Sequence, residues 1–253
     1  MRLVQGQDYL ILLCRQRHIH GTGLQGHQQG NKVDRKSGLD IEDKGNIEDY
    51  LGANIKEKGN GKINLTQNQI INSIINNVQL PKNTAPRQTP TFSTKILRRD
   101  AASPPFDERF NYPSVVVKIN FLEKSTRPNI AYATHQCACF YKYPRESHGD
   151  AIIHLVKYLK ATREQGIVLY PEFRKSFEVY DDAYFCGNWY LPTSGDNLST
   201  TNSHTVYVIL YDGCPIILCS KLQTKIALST TNAGYIALLQ SLLDVIPIMQ
   251  LLR

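Results

Sequence analysis

No apolar run in the sequence is long enough to cross a bilayer. The longest, YLILLC at 9–14 and VIPIMQLL at 245–252, fall well short of the roughly 20 residues a spanning helix needs. The expectation is therefore a soluble chain without a membrane partner. No signal-peptide pattern precedes the cysteines at 14, 137, 139, 186, 214 and 219. That favours a reduced intracellular protein, in cytoplasm or nucleus, over a disulfide scaffold. C-x2-C spacing is absent as well. Cys137-Ala-Cys139 and Cys214-x4-Cys219 therefore read as ordinary buried thiols rather than zinc ligands. The first 37 residues lack any sustained period of 2 or 3.6. They are rich in Gln, His and Gly, and His18, His20 and His27 have no carboxylate or cysteine pattern beside them. A disordered basic tail is expected there.

What is present is ordinary for a globular protein: 253 residues, 42% hydrophobic and 20% charged. The length suits one large domain or two small ones. A net charge of +7 fits a polyanionic partner such as nucleic acid without requiring one.

Periodicity organises the rest. YLGANIKEK and GKINLTQ, joined by the turn-prone GNG at 59–61, predict a β-hairpin. Ile70, Ile71, Ile74, Ile75 and Val78 form a helical stripe after a candidate N-cap at Thr66. Residues 81–109 hold five of the twelve prolines and read as a surface loop. Helices are predicted over 112–124, 127–141 and 148–164. The last has an apolar face of Ile152, Leu155, Val156 and Leu159, a stop at Gly166, and His154 as a packed or surface histidine. From 167 the chain turns β-branched and aromatic in IVLY, SFEVYDD, HTVYVILYD and CPIILCSKLQT, with a hairpin turn at DGC, 212–214. A final helix is predicted over 230–243 behind Ser229 and Thr230. The whole reads as α+β in two parts.

YLGANIKEKGNGKINLTQ, NFLEKSTRPNIAYATHQCACF, YLKATREQG and SKLQTKIALSTTNAGYIAL together resemble the Pol polyprotein of copia-type LTR retrotransposons. The resemblance covers about 38–253 and corresponds to the end of the reverse transcriptase followed by RNase H. It implies three segments: an aberrant N-terminus at 1–37, a palm edge with helical thumb and connection at 38–166, and a truncated RNase H-like unit of three antiparallel strands and a helix at 167–253. The implied activities are RNA-directed DNA synthesis and RNA cleavage in hybrids, with Mg²⁺ as cofactor and an RNA/DNA hybrid as partner. Leu51 and Gly52 resemble the primer grip.

On the same resemblance, YDDAYFCGNW matches the first RNase H strand. Asp182 stands at the first catalytic aspartate, Asp181 points to the opposite strand face, and Tyr184 replaces a second aspartate. Gly234 stands where the family has its catalytic glutamate, and Asn232 where a further glutamate is common. Two-metal chemistry needs several fixed carboxylates, so an inactive site is expected. A working nuclease built instead from Glu178, Asp181 and Asp182 is the contrary reading. The polymerase Y-V-D-D turn is missing upstream of YLG. Codons for LLCRQRHIHGTG can be chosen so that a shifted frame restores a similar box, so residues up to about 32 are read as translated out of frame. Other departures include Pro113, expected to interrupt a helix start, Val117, Asn129 in place of Asp, Cys139 in place of Arg, and Leu218 in place of Trp. The alternative function is a non-catalytic nucleic-acid-binding module that uses Lys118, Lys124 and Arg127, with Lys157, Lys160 and Arg163.

Overall fold

The structure is a computed structural model that describes residues 49–50, 52–91, 97–98, 103–172, 176–189 and 198–251. The N-terminal tail, Cys14 and Leu51 lie outside the described residues. The architecture is α+β, with two antiparallel sheets and five α-helices among the described residues.

The first sheet has four strands in the order β1 (Asp49–Tyr50), β2 (Ala53–Glu57), β3 (Ile63–Thr66) and β4 (Ile167–Leu169). Gly52 turns β1 into β2 at φ 76°, and Gly59, Asn60 and Gly61 carry the β2–β3 turn with φ of 36°, 55° and 72°. Such left-handed backbone favours Gly and Asn, so this turn follows from local sequence. Thr66 is drawn into β3, opposite Asn54, rather than capping a helix. Helix α1 (Asn68–Asn77) instead starts behind Gln67, which gives no side-chain cap bond. Ile167–Leu169 pairs with β3, so this short segment completes the sheet that the hairpin begins.

The helical layer packs α1 with α2 (Tyr112–Ser125), α3 (Ala131–Ala138) and α4 (Glu146–Ala161). Ile71, Ile74, Val115, Ile119, Leu122, Ile130, Ile152, Leu155 and Leu159 form its core, each at most 1% exposed. A fully buried aliphatic side chain of this size contributes about 1.5–3 kcal/mol. Pro113 does not interrupt α2. It lies in the first turn, where its missing N–H has no intrahelical partner to lose, and Asn111 caps that turn by accepting from the Ser114 N–H at 2.9 Å. The proline-rich loop also feeds this core: Phe106 and Phe110 are buried in it, and Lys160 Nζ donates to the carbonyls of Pro81 and Lys82. His154 is a packed histidine whose Nε2 bonds to the Thr89 carbonyl at 3.0 Å.

The second sheet runs β5 (Phe177–Tyr184), β6 (His204–Tyr211) and β7 (Cys214–Leu222). Asp212 and Gly213 turn β6 into β7, both with positive φ. One face is covered by α5 (Thr230–Leu251), capped by Ser229 Oγ accepting from the Asn232 N–H at 3.0 Å. The helix continues eight residues past the expected end at 243 and carries Pro247 in its interior. Val245, buried in the apolar cluster of the sheet, holds the extension, and Ile248 beyond Pro247 is buried as well. Of the described helices, α5 alone is long and apolar enough to cross a bilayer by length and composition.

Candidate functional site

Strand register decides where the paired aspartates point. β5 runs antiparallel to β6 with Asp181 opposite Tyr207, Asp182 opposite Val206, and Val179 opposite Ile209. Directly opposed residues share a face, and faces alternate along a strand. Tyr207, Ile209, Val179 and Phe177 pack with Val245 of α5. Asp181 therefore lies on the helix-covered face. Asp182 lies on the opposite face with Glu178, Tyr180 and Tyr184. Its carboxylate is exposed and accepts from the adjacent Ala183 N–H at 2.8 Å. Asp182 and Gly234, which is on α5, are thus on opposite sides of the sheet and are not brought together.

These groups do not fit Mg²⁺. The ion needs near-octahedral oxygen ligands at about 2.0–2.1 Å, whereas Glu178 stands four positions along the strand from Asp182, about 13 Å away. Among the described residues, no group of three or more His, Cys, Asp or Glu side chains is placed to hold a metal ion. Sequence reasoning missed Asp244, the one acid of α5. It accepts a hydrogen bond from the Tyr207 hydroxyl, on the same side of the sheet as Asp181. Its signal was an isolated carboxylate inside an apolar helix.

Gly234 itself is half-buried, and a Cβ built on it meets nothing within 4 Å. No steric demand of the fold explains a glycine in mid-helix. Gly234→Ala is expected to raise stability by about 1 kcal/mol through helix propensity, read as a higher urea midpoint with an unchanged slope.

The candidate cationic residues divide. Arg127 is buried, 1% exposed, and its guanidinium is spent within the fold. Nε donates to Asn129 Oδ1 at 3.1 Å, Nη1 to the Thr162 carbonyl at 2.9 Å and Nη2 to Thr162 Oγ1 at 2.7 Å. It cannot track a nucleic-acid backbone from there. Lys118 Nζ donates to Ser73 Oγ at 2.8 Å and ties α2 to α1. Lys124 is exposed and pairs at 3.1 Å with Glu123, whose burial raises its pKa against the lowering effect of that lysine. Gly52 serves the β1–β2 turn. Lys157 and Arg87 are both close enough to His154 to lower its proton affinity, beyond the larger lowering from burial. Neither has a carboxylate within ion-pair distance among the described residues.

None of the described cysteines is in a disulfide. Cys137, Cys214 and Cys219 are buried, and burial pushes the Cys137 thiol up to about 12. Cys139 is exposed, 3.7 Å from His135 Nε2. His135 of α3 meets His204 of β6 edge-on at 5.1 Å, one of the contacts that join the helical layer to the second sheet. His204 is 3% exposed, beside Tyr132 and the Asn188 amide. Burial, followed by the charge of His135, pushes it down to about 4. Burial and then Lys124 lower His135 as well. An unfolded histidine binds its proton near pH 6.5, so between pH 6.5 and about 4 the unfolded chain holds more protons than the folded one. Stability from this junction is full above pH 6.5 and is lost as pH falls through that window. His204→Gln is expected to flatten the decline. Urea midpoints at pH 7, 5.5 and 4.5 measure it, and an equally steep decline in the variant would assign the effect elsewhere.

No family model matches the chain, and no solved structure matches it. Curated proteins do. A Retrovirus-related Pol polyprotein from transposon TNT 1-94 of Nicotiana tabacum is 28% identical over 212 residues, 81% of this chain and 15% of its own length. A putative transposon Ty5-1 protein of Saccharomyces cerevisiae is 28% identical over 211 residues, 81% of this chain and 63% of its own length. The Pol polyprotein from transposon RE1 of Arabidopsis thaliana is 32% identical over 124 residues, 49% of this chain and 8% of its own length. The chain thus spans less than two thirds of each of these relatives.

Proposed function

The chain is related to the Pol polyproteins of copia-type retrotransposons, and from that premise we propose that it carries a catalytically silent part of such a polyprotein. The hairpin with the helical layer is the end of a reverse transcriptase. The β5–β7 sheet with α5 is the beginning of an RNase H-like unit. Order supports this reading: hairpin, helices, three antiparallel strands and a closing helix follow in the sequence the resemblance implies.

The observation that carries the loss of catalysis is the placement of Asp182. Its carboxylate faces away from α5, and the helix offers Gly234 where the family has its glutamate. Both metal-site carboxylates would have to converge on one hybrid phosphate to stabilise an attacking and a leaving oxygen. Purified full-length chain with Mg²⁺ or Mn²⁺ is expected to leave a labelled RNA/DNA hybrid intact and a primer unextended. Metal-dependent cleavage that disappears in Asp182→Ala would sink the proposal. Cleavage lost in Asp181→Asn or Asp244→Asn instead would place an unforeseen site on the helix-covered face.

A non-catalytic nucleic-acid-binding module is the second reading, supported by Arg87 and Lys157, neither of which has a carboxylate within ion-pair distance among the described residues. Backbone binding through those two cations predicts a log–log salt slope of roughly −2. Arg87→Glu with Lys157→Glu should abolish that slope in fluorescence anisotropy with a labelled hybrid. Binding unaffected by the pair, or absent at low salt, would remove this reading.

A further inference from the structure

Helix α5 carries two stripes of different character. The inner one, Ala233, Ala237, Ser241, Val245 and Ile248, is buried against the second sheet, and its first three side chains are small enough for close approach. The outer one, Tyr235, Leu239, Leu242, Ile246 and Met249, is exposed by 67, 58, 39, 47 and 37%. Its spacing of four, three, four and three averages 3.5 residues. That is the repeat of side chains that form the seam between two packed helices. Leu238 and Leu243 flank it, also exposed. The helix has one ionic side chain, Asp244, and the Tyr207 hydroxyl of the sheet engages it.

We propose that the outer stripe of α5 is the seam of a homodimer, in which α5 of one copy packs against α5 of a second. Three features choose this occupant. A 4-3-4-3 seam calls for a partner helix with the same repeat. Among the described helices none other has such a stripe free, since the large exposed apolar residues on α1–α4 are Val117 and Tyr132 alone. The face is uncharged, so two identical copies meet without like-charge repulsion, whereas a polyanion would find no cation there. The size also suffices. A 22-residue helix is about 33 Å long. Covering its stripe on two copies removes on the order of 1,000 Å² from water, near the lower end of specific dimer interfaces.

Sedimentation velocity of the full chain between about 1 and about 50 µM tests this. The expected result is a monomer–dimer equilibrium that Leu239→Lys weakens at least about tenfold. Ile246→Gln, a gentler change on the same stripe, should weaken it too, with circular dichroism and melting unchanged in both variants. A wild-type chain that stays monomeric across the range overturns the proposal, as does a dimer indifferent to both substitutions. Two further outcomes also overturn it by naming another occupant. Monomer that co-floats with phosphatidylcholine vesicles through the same leucine points to a lipid surface. Monomer that dimerises only after residues 1–48 are removed points to cover by that segment of the chain.

Discussion

Gly166→Ala is expected to destabilise the protein by about 3 kcal/mol, a large effect for one methyl group. Gly166 precedes β4, where the chain returns from α4 to pair with β3. A Cβ there would stand 1.8 Å from the Leu65 carbonyl oxygen, 2.9 Å from its carbon and 3.0 Å from Thr66 Cγ2. The first two are backbone atoms of a strand bonded on both sides, to β2 and to β4. They cannot rotate away as a side chain would. Relief requires β4 to move off β3, which gives up ladder bonds and exposes Leu65 and Leu169, both 4% exposed. Urea denaturation checks the value, with Gly234→Ala as the contrasting glycine. A Gly166→Ala midpoint equal to wild type would show that β4 is not seated on β3 this closely.

Arg127→Ala is expected to cost about 3–5 kcal/mol, because the residue is a buried cation with a complete set of partners. Desolvation lowers its pKa, and Tyr158, whose ring lies 5.5 Å from the guanidinium carbon, opposes that effect. No carboxylate is within ion-pair distance among the described residues. The compensation comes instead from the end of α4. Thr162, its C-cap, offers both its carbonyl and its hydroxyl, where the helix dipole presents negative charge. Alanine would leave that carbonyl without its donor and open a cavity beneath Tyr158. Asn129 makes the test sharper. Its Oδ1 accepts from Arg127 and its Nδ2 donates to the Tyr158 hydroxyl at 2.6 Å. Asn129→Asp places a carboxylate beside the cation at an exposed position, and the tyrosine hydroxyl can turn from acceptor to donor. The gain is expected to be about 1 kcal/mol at pH 7 and to vanish in the Arg127→Ala background. A double-mutant cycle with no coupling would mean that the two side chains do not meet as described.

Both effects arise where distant segments touch, and neither residue announced it in the sequence. The Gly166 position was legible only as a stop for α4, and the helix in fact ends five residues earlier, at Ala161. Arg127 read as one more surface cation because charge is visible in a sequence and burial is not. Pro113 read as a break because proline disfavours helix interiors. Its tolerance depended on falling in the first turn behind Asn111, where the helix starts at the expected residue 112. Leu51 lies outside the described residues, and Gly52 shows a turn conformation rather than a contact.

The sequence by itself determined those features whose energetics are local. Apolar periodicity set α1 and α4, positive-φ residues set the turns at 59–61 and 212–213, and Ser229 set the start of α5. It also carried the likeness to retrotransposon Pol polyproteins, at 28% identity over 81% of the chain. The tertiary structure alone decided which aspartate faces α5, since a one-residue change of register exchanges every side chain between the two faces of a strand. It decided that α5 runs past Pro247, because burial of Val245 on the sheet and of Ile248 one residue beyond the proline outweighs the hydrogen bond the proline removes. Periodicity is written into neighbouring residues, whereas register and burial depend on partners far along the chain.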